Sequence, residues 1–192
     1  MKNLKFTLKA WPIIFMVTVT LCSLTGWVAK LFGVTLNEQM SVQVMLYLRK
    51  HCFDSLDIFL KTALNIALIV AVMPAIEEIV FRGLLYRLPS RLIARHRRND
   101  NKPTTTRLAA NRKIEKLLPA VISSTLFSAA HYYQMPFPDD AFFALFVFGL
   151  AQCWLYDHAE RWHGIWMPAL NHCLFNFTNL FFLFTLPEKW FT

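Results

Sequence analysis

The chain has 192 residues, of which 56% are hydrophobic and 17% charged, with 18 phenylalanines. That composition excludes an ordinary water-soluble domain and points to an all-α, multi-pass membrane protein. The net charge of +8 does not argue for a nucleic-acid partner, because half of the basic residues gather in one loop between apolar stretches.

Lys2, Lys5 and Lys9 precede an apolar run from Trp11 to about Phe32 that has no Ala-x-Ala cleavage signal. It reads as a retained signal-anchor helix. Residues 33–61 mix apolar and polar positions at helical spacing and read as an interfacial helix. A second span is expected from near Thr62 to Leu88, kinked at Pro74, which lacks a backbone donor. Residues 87–116 are the polar centre of the chain: a basic amphipathic extension, then a turn at 99–106. Further spans are expected over 117–133, over 141–156 (short for a full crossing) and over 165–186, with a charged connection at 157–163. This gives about five spans plus an interfacial helix, in a single membrane domain over 1–192.

With the N-terminus cytoplasmic, 14 Lys/Arg lie inside and five outside, which fixes that orientation by the positive-inside rule. Cys22, Cys52, Cys153 and Cys173 lack CxxC spacing and read as small buried hydrophobes rather than disulfides or metal ligands.

The functional signal lies in Glu77-Glu78-Ile79-Val80-Phe81-Arg82. A charge inside the hydrocarbon costs roughly 2.5–3.5 kcal/mol even on insertion scales, so such groups line cavities and do work, or form ion-pair networks. Glu78 and Arg82 are spaced i,i+4 and can neutralise each other. Glu77 points about 100° away and has no local partner, which suits a general base. His131 in the third span and His172 in the fifth fall at comparable depth. His172 and Asn176 share a helix face, with Asn171 and Asn179 nearby as candidates for helix–helix hydrogen bonds. One glutamate and two histidines (Glu77, His131, His172) could also ligate zinc, although no HExxH helix is present.

Three motifs in order, Glu77-Glu78-x-x-x-Arg82, Phe127-x-x-x-His131 and His172-x-x-x-Asn176, resemble those of the CAAX protease and bacteriocin-processing family of intramembrane peptidases. The resemblance covers about 63–179, the expected catalytic core. It implies hydrolysis of a peptide bond in a membrane-associated protein or peptide, in a multi-pass protein of the bacterial inner (plasma) membrane. By that resemblance Glu77 and His131 activate water, and His172 and Asn176 donate to the oxyanion. Glu78 and Arg82 support them, and Phe127 orients the site. A metal-free glutamate mechanism without cofactor is the favoured expectation, with zinc as the alternative. The competing reading is a non-catalytic scaffold or immunity-type protein that retains the fold. A small transporter is disfavoured by five spans without internal repeats.

Overall fold

Lys2–Leu31 forms one thirty-residue helix, α1, which begins well before the Trp11 expected from the apolar run. The computed structural model describes residues 2–33, 49–51, 54–99, 105–132, 141–158 and 164–186; among them there is no strand. Most of the expected interfacial helix, Cys52, the turn at 100–104 and the connections at 133–140 and 159–163 lie outside the described residues.

The next helix, α2 (Leu56–Ala67), starts before the Thr62 expected. The cause is local. Ser55 is extended, and its hydroxyl accepts the Ile58 N–H at 3.2 Å, which caps the first turn. Asp57 in that turn favours the helix dipole and bridges to Lys61 at 2.6 Å. From Ala67 the helix runs on without a break, but its winding changes twice. A π-helical stretch (Leu68–Val72) leads into α3 (Met73–Glu78), and a second one (Ile79–Arg87) leads into α4 (Leu88–Asn99). Both glutamates therefore sit on a six-residue α segment between two wider windings. The disturbance expected at Pro74 takes this form, a π stretch immediately before the proline.

Three more helices complete the bundle: α5 (Thr105–Tyr132), α6 (Ala141–His158) and α7 (Trp166–Thr185). α1 packs on α6 and α7. Phe6 meets Trp154 at 5.3 Å, the Thr7 hydroxyl reaches Met167 Sδ at 2.9 Å, and Phe15 meets Phe175 at 5.5 Å. α5 runs antiparallel to α6 and to the second π stretch. The core between them is aromatic: Phe15, Phe81, Phe127, Phe148 and Phe175 are all buried. Pairs of that kind contribute about 0.5–1.5 kcal/mol each beyond their area.

The outer surface is apolar, with Ile13, Met16, Leu64, Leu118, Phe143 and Phe181 all exposed. Leu4–Leu31, Leu56–His96 and Ala141–His158 are each long and apolar enough to cross a membrane. The protein is an all-α membrane protein, as its composition implies. Cys153 is buried, Cys22 and Cys173 are half-buried, and none of the three is in a disulfide.

Candidate active site

α3, α5 and α7 bring Glu77, His131 and His172 to one point. Glu77 Oε2 lies 3.8 Å from His131 Nε2 and 3.7 Å from His172 Nε2. Both separations are too long for direct hydrogen bonds and suit a bridging group such as water. Glu77 is 21% exposed and His131 23%, whereas Glu78 and Arg82 are fully buried. Two adjacent carboxylates thus occupy different surroundings, as the helical rotation between them requires.

Each imidazole is held by its other nitrogen. His131 Nδ1 lies 2.8 Å from the Phe127 carbonyl, one turn earlier on α5. A carbonyl can only accept, so Nδ1 carries the proton. In the neutral ring, His131 Nε2 then presents a lone pair toward Glu77. His172 Nδ1 lies 3.1 Å from Glu78 Oε1 and donates to that carboxylate. Glu78 is balanced in turn by Arg82, whose Nε lies 3.1 Å from Oε2 at an angle outside hydrogen-bond geometry. Arg82 Nη2 donates to the Gly149 carbonyl at 3.2 Å. The guanidinium lies 4.6 Å from the centroid of Phe127, whose ring also contacts both histidines, at 4.5 and 5.7 Å. Phe127 is fully buried, so it fills the space between the ion pair and the imidazoles.

Asn176 has a partner of its own. Its side-chain amide donates to the Ile69 carbonyl at 3.0 Å. The backbone explains this contact. In the first π stretch each N–H reaches back five residues, and the Met73 N–H does so to Leu68. The next donor in that series would be residue 74 and would reach Ile69, but proline has no N–H. Asn176 supplies the missing donor, and its second amide hydrogen is not used by this bond.

Four polar residues beyond the motif positions support the site. Ser123 donates to the Phe81 carbonyl inside the second π stretch at 2.6 Å. Gln152 Nε2 donates to Asn171 Oδ1 at 2.8 Å, tying α6 to α7 next to His172, with both side chains fully buried. Ser124 faces Gly149, where an added Cβ would sit 2.9 Å from the serine side chain and 3.0 Å from its Cα. That close approach of α5 to α6 is what lets the Gly149 carbonyl meet Arg82. In sequence, a lone amide in the apolar 141–156 run was the available sign of Gln152; its partner was not visible there.

Among the described residues, no group of three His, Cys, Asp or Glu side chains is arranged to hold a metal ion. Glu77, His131 and His172 carry suitable donor types but do not stand as a ready-made ligand cage.

The sequence profile of the family described as type II CAAX prenyl endopeptidase Rce1-like matches residues 59–178. The chain belongs to that family. The matched region holds every residue of the site, from Glu77 to Asn176, and leaves α1 outside it. Members of the Rce1-like family are generally proteases of membranes, in keeping with the apolar helices here. No curated protein and no solved structure matches significantly.

Proposed function

We propose that this Rce1-like protein is an intramembrane endopeptidase in which Glu77 activates a water molecule to cleave a peptide bond. The observation that carries this reading is one carboxylate oxygen facing two imidazole nitrogens at 3.7 and 3.8 Å, each ring held by a hydrogen bond at its far side. Water is a weak nucleophile, and a positioned base contributes about 10²–10⁴-fold. Water in this gap donates one hydrogen to Glu77 and the other to the His131 lone pair, leaving its oxygen lone pairs for the scissile carbonyl. Glu77 takes the proton as the C–O bond forms and delivers it to the leaving amine when the C–N bond breaks.

The tetrahedral oxyanion needs donors. His172 can donate through Nε2 only as an imidazolium, because Nδ1–H is already given to Glu78. Asn176 has one amide hydrogen beyond its bond to Ile69 to offer the oxyanion. In this reading Glu78, Arg82 and Phe127 position the imidazoles.

The substrate is a membrane-associated protein or peptide. The family's description points to prenylated C-terminal tails, so the test uses purified protein in lipid bilayers. A farnesylated CAAX peptide is offered beside an unprenylated membrane-anchored peptide, with products identified by mass spectrometry. Cleavage is expected in the wild type and loss of about 10²–10⁴-fold in Glu77→Gln and His131→Ala. Full biological activity in either variant, with normal insertion, would leave the non-catalytic scaffold as the better account. Zinc chemistry is tested on the same sample: activity is expected to survive exhaustive chelator dialysis. Loss restored by zinc would assign Glu77, His131 and His172 as ligands.

A further inference from the structure

A second polar feature lies outside the site, at the end of the bundle where α4 leaves the apolar span. It is a cavity of about 320 Å³, open to the surface. α4 and the residue before it supply Arg87, Ser90 and Arg91, which fall on one helical face. Tyr156 and Lys116 stand opposite, on α6 and α5. The Arg87 guanidinium lies 5.7 Å from the Tyr156 ring centroid, which fixes it across the cavity. Gly164 keeps that ring in place, because a Cβ there would come within 2.9 Å of it.

Two acids also line the cavity, and both are engaged. Asp157 binds Lys116 at 2.7 Å, with Tyr86 lining the cavity beside them. Glu115 has interactions of its own. Among the described residues neither Arg87 nor Arg91 pairs with a carboxylate. The cavity therefore offers two guanidinium groups at the boundary between apolar and charged sequence.

We infer that this cavity binds a phosphate group. Planar guanidinium forks match phosphate oxygens in pairs, and Ser90, whose hydroxyl donates to the Tyr86 carbonyl at 2.7 Å, holds the turn of α4 between the two arginines. The phosphate belongs either to an anionic lipid headgroup at the membrane surface or to a free phosphate anion. The site is independent of the peptidase chemistry.

The test uses the full chain in neutral detergent. Phosphatidylglycerol and phosphatidylcholine are titrated and retained lipid is read by native mass spectrometry. Inorganic phosphate is titrated against matched chloride and read by thermal shift. Preferential retention of phosphatidylglycerol without a response to inorganic phosphate assigns a headgroup; stabilisation by millimolar phosphate assigns the free anion. Either response is expected to weaken on the order of tenfold in Arg87→Gln/Arg91→Gln. A Lys5→Gln/Lys9→Gln control removes two exposed charges from the same end of the bundle and is expected to leave binding unchanged. Should the arginine double variant fail to fold, Arg91→Gln alone, at an exposed position, gives the same reading. Binding absent in the wild type, or lost equally in the lysine control, overturns the inference.

Discussion

Glu77 and Glu78 are neighbours with the same chemistry and opposite consequences when changed. Glu78→Gln removes the charge facing buried Arg82 and leaves His172 Nδ1 only a neutral amide oxygen as acceptor. An uncompensated buried charge typically costs 3–5 kcal/mol, so this variant is expected to lose that order of stability, measured by denaturant or thermal unfolding in detergent. Glu77→Gln, at a position one-fifth exposed, is expected to unfold within about 0.5 kcal/mol of wild type while losing cleavage. If the two variants unfold alike, the separation of roles between the two acids is wrong. This much was legible in sequence: i,i+4 spacing pairs Glu78 with Arg82 and rotates Glu77 away. The approach of His131 and His172 was only permitted by helix depth, because depth says nothing of rotation. Asn171 stood out as a candidate for a helix–helix hydrogen bond, but its partner Gln152 did not, since such a bond depends on which faces meet.

At the scale of elements, the π stretch before Pro74 and the amide of Asn176 form one device. The carbonyl of Ile69 loses its backbone donor to proline and gains a side-chain donor from α7. Asn176→Ala is expected to cost about 1–3 kcal/mol by leaving that carbonyl unsatisfied. In a Pro74→Ala background residue 74 regains its N–H, so the same change should cost less than half as much. A double-mutant cycle on unfolding free energies measures the coupling, and strict additivity would refute it. Sequence placed Asn176 on the face of His172 and marked Pro74 as a perturbation, but not the contact between them. Helical periodicity assumes 3.6 residues per turn, and the π winding breaks that assumption. The early start of α2 was missed for another reason: Ser55 and Asp57 are cap signals inside a segment whose mixed polarity read as interfacial. Gly149→Ala belongs to this scale also. Forcing α5 away from α6 displaces the carbonyl that receives Arg82, and a loss of about 1–3 kcal/mol is expected by thermal unfolding.

At the scale of the whole molecule, the basic α4 end and the lysines of α1 lie at the same end of the bundle, because Phe6 packs against Trp154 and His158 beside Tyr156 and Asp157. By the positive-inside rule that end is expected to face the cytoplasm, an expectation open to direct labelling. In a cysteine-free background, Ser55→Cys should react with a membrane-impermeant maleimide in intact cells, and Lys5→Cys only after lysis. The reverse pattern would invert the orientation. α1 also shows what the matched region leaves out, since its Ala10, Ile14 and Phe15 join a core otherwise made by the second π stretch and α5–α7. The two π stretches carry a final consequence. A wide winding is an α-helix with surplus backbone lodged in it, and the surplus sets the phase of everything downstream. Deleting a single residue such as Val80 either turns Tyr86, Arg87 and Arg91 by about 100° relative to Glu77 or converts the wide winding to a tighter one, moving the Phe81 carbonyl off Ser123. The interval between the acids and the arginine-lined cavity is therefore a counted length, intolerant of insertions and deletions even where substitutions are harmless.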